Sequence, residues 1–230
     1  MDNVANPLII LLAISGAKSI TKVDNLSLLP YYIGIIIFLP FLYISIEETF
    51  SQMTYTGEIN NFLVKPLSFY KWMLFQEIGK KIATLITIIP PLVLIVFYAV
   101  KIELIPINLE ILLQSFGITI LAFFLSFNFG YILGLFSFWI EEAWVLRNTR
   151  EVLITLLGGI ALPYFLFPKS LAYILTFTPF PYMISWPTRV FKNGIQNNEI
   201  FTALFWLLFS FLFIKVLWKK VVIKYSGVAN

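Results

Sequence analysis

Apolar residues in this chain gather in long, nearly unbroken runs joined by short polar connectors. The runs cover residues 26–46, 82–100, 111–140, 152–167 and 200–217. A helix crossing the roughly 30 Å hydrocarbon layer of a bilayer needs about 20 apolar residues. A sixth stretch, residues 7–20, falls short of that and reads either as an abbreviated first span or as the product of a start site placed downstream of the natural one. No succession of short alternating segments suggests a barrel. Helices satisfy their own backbone hydrogen bonds in lipid. The pattern therefore predicts an all-α integral membrane protein: a six-helix transmembrane bundle with a short first span, in one domain over residues 1–230. No internal repeat is visible.

The longest polar interruption runs from Glu47 to Lys81 and carries Glu47, Glu48, Glu58, Lys65, Lys71, Glu77, Lys80 and Lys81. It is too long for a tight turn and too short for a domain. Thr56–Gly57 opens a short helix over residues 58–64, with Thr56 as its cap. Pro66 ends it, because the residue before a proline avoids helical geometry. Ser68 caps a second helix that starts near Phe69. That helix mixes Tyr70, Trp72, Met73, Leu74, Phe75 and Ile78 with Lys71, Gln76, Glu77, Lys80 and Lys81, which suits a membrane-surface ramp into the next span; the alternative is a solvated loop with interfacial anchors.

Two other connectors are distinctive. Residues 141–151 hold Glu141, Glu142, Trp144, Arg147, Arg150 and Glu151. These are either end-charges that stop a span or a charged ring at the mouth of a pathway, since acids and arginines at this spacing pair along or between helix ends. Residues 168–198 are rich in proline (Pro168, Pro179, Pro181, Pro187) and aromatics (Tyr173, Phe177, Phe180, Tyr182, Trp186, Phe191). This segment is too apolar for a solvated loop. It reads as short re-entrant helices whose backbone neighbouring spans keep dry, or as an interfacial aromatic belt.

Charge placement sets orientation. The 47–81 segment, the 141–151 linker and the C-terminal tail carry ten basic residues against six on the other side. The positive-inside rule puts the first group in the cytoplasm. Residues 1–6 show no basic signal-peptide region.

Composition narrows the chemistry. The chain is 60% hydrophobic, 18% aromatic and only 12% charged, with a net charge of +4. A soluble domain has about 25% charged residues. There is no cysteine and no histidine, which removes thiolate nucleophiles and the commonest acid–base group and metal ligand. The five long runs have no acid or base in their interiors; Asn128 is the most polar side chain deep in any of them. Ion-coupled transporters place ionisable groups there. No phosphate-cradling G-x-x-x-x-G-K-[ST] pattern occurs; Gly158–Gly159 signals packing or flexibility within a span. Any energy source must therefore be another subunit.

Three stretches resemble the membrane subunits of type-two ABC exporters, within them a bacterial branch of viologen-exporter-like permeases. They are GEINNFLVKPL (residues 57–67), FWIEEAWVLRNTR (138–150) and PFPYMISWPTRVFKNG (179–194). The similarity extends over most of the chain from about Leu26. It implies six helices per subunit, two subunits forming the pathway, and a location in the bacterial cytoplasmic membrane. The implied partners are a cytoplasmic ABC ATPase, a second permease subunit of the same or a related chain, and the lipid bilayer, with no nucleic acid.

By position, the resemblance assigns ATPase coupling to a cytoplasmic coupling helix over residues 57–65, with Gly57, Glu58, Ile59, Asn60, Phe62, Leu63, Lys65 and Pro66. It suggests a cytoplasmic gate of Glu141, Glu142, Arg147 and Arg150. An external gate of re-entrant helices would use Pro179, Phe180, Tyr182, Trp186 and Pro187. ATP and magnesium would belong to the partner, and this chain would be non-catalytic and hold no cofactor of its own. Family members usually have a longer N-terminus with an interfacial helix before a full first span, which this sequence departs from. The expected function is an ATP-driven exporter permease. The alternative is a non-transporting membrane scaffold or sensor that recruits a cytoplasmic partner. A secondary transporter or channel is disfavoured by the uncharged spans.

Overall fold

The computed structural model describes residues 25–64, 68–101, 109–140, 142–163, 166–195 and 197–228. All regular structure among these residues is helical. The abbreviated span expected at residues 7–20 lies outside them, as do Lys65, Pro66 and Glu141. The helices are α1 (Asn25–Leu42), α2 (Glu47–Tyr55), α3 (Asn60–Val64), α4 (Phe69–Lys101), α5 (Leu109–Leu135), α6 (Ala143–Leu157), α7 (Lys169–Thr176), α8 (Phe180–Met183), α9 (Ser185–Asn193) and α10 (Asn197–Val228). A 3₁₀ turn, Phe136–Phe138, extends α5. Among the described residues, three helical stretches are long and apolar enough to cross a membrane: Tyr31–Tyr55, Leu113–Phe138 and Asn198–Ile223.

Helix α5 is the axle of the bundle. Its first half contributes Ile118, Ala122 and Leu125 to one apolar core, shared with Ile35 and Leu42 of α1 and with Trp186 and Val190 of α9. Its second half contributes Phe127, Tyr131 and Leu135 to another, shared with Phe50 of α2, Phe69 and Met73 of α4, and Ile214 and Leu217 of α10. Edge-to-face rings dominate the second core. Phe50 meets Phe69 and Tyr131 at centroid distances of 5.1 and 4.9 Å, the arrangement that the charge distribution of aromatic rings favours.

Three boundaries differ from the sequence expectation. The run 26–46 is not one helix: α1 ends at Leu42 and α2 begins at Glu47. The Lys81 ammonium donates to the carbonyls of Pro40 and Tyr43, satisfying acceptors that a helix C-terminus leaves open. Glu47 and Glu48 then start a helix rather than close one, and acids in a first turn are favoured by the helix dipole.

The run 152–167 is also interrupted. Helix α6 stops at Leu157, and Gly159 has φ +86°, a conformation that glycine adopts without steric cost. The tyrosine hydroxyls of α1 take up the released carbonyls: Tyr31 donates to Gly159 O at 2.7 Å and Tyr32 to Ala161 O at 3.2 Å. Finally, α4 is a single 33-residue helix. The amphipathic ramp and the apolar run after it are therefore one element, without a turn between them.

Candidate functional site

The segment between α2 and α4 is built on a buried pivot. Thr56 turns out to be the C-cap of α2, its N–H bonded to Gln52 O, and not the N-cap of the next helix. Gly57 follows with φ +74°. The chain then makes two tight turns, with Asn60 N–H to Gly57 O and Asn61 N–H to Glu58 O, both at 3.1 Å. Helix α3 is thus shorter than the expected 58–64. Ile59 is fully buried among the aromatic core, while Glu58, Asn60 and Asn61 are exposed around it. Phe62 is half-buried and packs on Phe69 and Trp72 at 5.1 and 4.6 Å. Tyr55 is 92% exposed, the barest large side chain of this corner. The result is a polar, protruding tip held to the bundle by Ile59 and Phe62. Of the residues expected to couple, Gly57, Glu58, Ile59, Asn60 and Phe62 meet here. Leu63 lies in α3, and Lys65 and Pro66 lie outside the described residues.

Among the described residues, the acids and arginines of the 141–151 linker form no ion pair with one another. Its arginines reach back to α2. Arg150 Nε donates to Glu47 Oε1 at 2.7 Å, both side chains being buried. Arg147 Nη1 donates to Glu48 Oε1 at 2.5 Å, with both side chains more than 40% exposed. The Arg150 guanidinium lies 4.4 Å from the centroid of the Tyr43 ring, within cation–π range. The Tyr43 hydroxyl donates to Glu151 Oε1 at 3.1 Å. Burial alone would lower the Arg150 pKa; the Glu47 carboxylate beside it more than offsets that and holds it above its ordinary value. Glu142 keeps away from this group and accepts from Trp144 Nε1 at 2.5 Å. So Arg147 and Arg150 form part of a clamp between α2 and α6, Glu142 does not, and Glu141 is outside the described residues.

Sequence reading missed the other half of this clamp, Glu47, Glu48, Tyr43 and Lys81. The register held a hint. Glu47–Glu48 and Arg147–Arg150 are clusters of opposite sign, each beside an apolar run. Lys81 sits close by, and its pKa falls from 10.5 to about 8 because burial disfavours the charged form.

At the opposite end, Tyr182, Trp186 and Pro187 are buried, and Pro179 and Phe180 partly so. The Phe180 ring packs on Phe129 of α5 at 5.5 Å, and Tyr182 on Trp186 at 5.4 Å. The Tyr182 hydroxyl donates to Thr176 O and the Trp206 indole to Phe177 O, tying the end of α7 to α8 and α10. Helix α9 is wedged between α1 and α5. A Cβ placed on Gly34 would lie 2.6 Å from Thr188 Cγ2, so the two backbones approach as closely as only glycine permits. The five expected external residues therefore do come together, as a packed plug rather than a solvated loop.

Deep in the bundle, Asn128 accepts from the Tyr70 hydroxyl at 2.6 Å and donates to Ser210 Oγ at 2.9 Å. This neutral bridge joins α4, α5 and α10. Among the described residues, no group of three or more His, Cys, Asp or Glu converges to hold a metal ion.

The model of one protein family, described as ABC-2 family transporter protein, matches residues 20–229 of the chain. No curated protein and no solved structure matches it. The family match spans both the clamp and the plug, and runs through all ten helices of the described residues. The chain therefore belongs to the ABC-2 transporter family, whose members are the membrane permease components of ABC transporters.

Proposed function

We propose that this chain is the permease subunit of an ATP-driven exporter of the viologen-exporter-like branch, in a bacterial cytoplasmic membrane. It works as a dimer with the same or a related chain and couples to a separate cytoplasmic ATPase, which holds the ATP and magnesium. The observation that carries the reading is the tip around α3, a small polar protrusion with its root sealed in the core. Such a tip transmits a push because Ile59 and Phe62 engage the same aromatic cluster as α2, α4 and α5. Movement of α2 passes to α6 through Glu47–Arg150 and Glu48–Arg147. The plug of α8 and α9 is the external gate at the far end of α5.

Dimerisation is supported by the stretch of α4 from Ile82 to Phe97, where Ile82, Ile86, Val93, Leu94 and Phe97 are all more than 50% exposed. Nucleotide binding in the partner shifts the bundle between closed and open populations, with no chemistry in this chain.

The test is co-purification of an ABC ATPase with this chain, followed by ATPase assays. Glu58→Ala and Asn61→Ala are expected to lower permease-dependent ATPase activity while leaving the permease folded. Absence of any ATPase in the complex, together with unchanged activity in both variants, refutes coupling at this tip. Since the chain has no native cysteine, Ile86→Cys provides a clean crosslinking probe of the proposed dimer.

A further inference from the structure

Two adjoining cavities lie along the line where α4, α5 and α10 meet. One of about 630 Å³ has Lys71 and Lys215 in its wall. The other, about 660 Å³, is walled by Phe124, Leu204 and Leu208. They share Tyr70, Leu74 and Phe211 and so form one groove. Each part lies in the range of about 300–1,000 Å³ common to ligand clefts.

The two ends of the groove differ in chemistry. At the basic end neither lysine is in an ion pair among the described residues, and Lys215 Nζ sits 4.6 Å from the centroid of the Phe211 ring. Lys219, one turn further along α10, is also exposed. The other end is apolar, and its one deep polar side chain, Asn128, already bonds Tyr70 and Ser210. From Leu204 to Lys215 the helix rises roughly 16 Å at about 1.5 Å per residue. That is about half of the ~30 Å hydrocarbon layer, the depth of one leaflet.

We propose that this groove binds one anionic phospholipid, its phosphate held by Lys71 and Lys215 and an acyl chain laid along Leu74, Phe211 and Leu208 toward Leu204. Charge complementarity selects the headgroup, and the length and apolarity of the groove select the chain. The site goes beyond the transport reading and needs neither nucleotide nor ATPase.

The full chain, purified in a neutral detergent without ATPase or nucleotide, is titrated with dioleoyl phosphatidylglycerol or dioleoyl phosphatidylcholine. Bound lipid is counted by native mass spectrometry. One phosphatidylglycerol is expected to be retained in preference to phosphatidylcholine. Lys71→Gln and Lys215→Gln should each weaken it roughly fivefold, the effect of one lysine beside anionic lipid. Leu208→Trp should weaken it by obstructing the chain, and Lys169→Gln should have no effect. Equal retention of the two lipids, or full retention by the Lys71→Gln/Lys215→Gln double variant, overturns the proposal. So does displacement by inorganic phosphate alone, or indifference to Leu208→Trp, because either would leave an anion site without a lipid groove.

Discussion

Two Glu–Arg pairs link α2 to α6, and their surroundings give them different weights. Glu47 and Arg150 have side chains 0% and 1% exposed, and Glu47 Oε2 and the two Arg150 Nη atoms have no hydrogen-bond partner among the described residues. Removing one member strands a buried charge, which typically costs about 3–5 kcal/mol. Glu47→Ala is therefore expected to lower the unfolding midpoint sharply. Glu47→Leu/Arg150→Met should recover much of that loss. Glu48→Ala/Arg147→Ala, at an exposed pair, should cost less than about 1 kcal/mol. Equal effects at the two pairs in a thermal or denaturant titration would contradict this ranking.

Lys81 makes a prediction of opposite sign to the usual lysine, whose pKa a charged partner raises. Its folded pKa of about 8 lies below the ordinary 10.5. Between those values the unfolded chain holds a proton that the folded one has lost, so stability rises with pH across that window. Wild type should gain on Lys81→Met in thermal midpoint from about pH 8 to pH 10. Parallel pH profiles of the two proteins would show that Lys81 does not titrate there.

At the scale of elements, the turn at Gly57 decides where α3 points. A Cβ there would meet only Asn60 Nδ2 at 3.7 Å, so space is not the constraint. The constraint is φ +74°, which costs a residue with a side chain roughly 1–2 kcal/mol. Gly57→Ala should loosen the tip without unfolding the bundle. The expected readout is faster amide exchange over α3 with unchanged protection in α5. If exchange over α3 does not change, the positive φ is not what holds the tip.

For the whole molecule, the decisive contact is the insertion of α9 between α1 and α5. Gly34→Val puts a branched side chain where Thr188 Cγ2 already sits. Overpacking of this kind typically costs about 1–3 kcal/mol. Because α9 is a separate short helix, we expect it to shift outward while the lower aromatic core stays intact. Fluorescence of Trp186, now fully buried, should move to longer wavelength in a variant retaining only this tryptophan among the six of the chain. An unshifted spectrum would mean that α1 yields instead of α9.

The run lengths alone marked the chain as a helical membrane protein, because an apolar stretch of membrane length has few other places to go. The Ser68 start of α4 and the clustering of the aromatics over residues 168–198 were legible for equally local reasons: a cap is read within three residues, and a proline-rich apolar segment cannot be a solvated loop. Tertiary structure alone decided the rest. The break after Leu157 depends on tyrosines more than a hundred residues away that donate hydrogen bonds to its freed carbonyls. The interruption at 43–46 depends on Lys81, and the burial of Glu47 depends on Arg150. A run of apolar residues sets how much chain is dry, but where a helix stops inside it depends on which distant donor or charge meets the freed backbone.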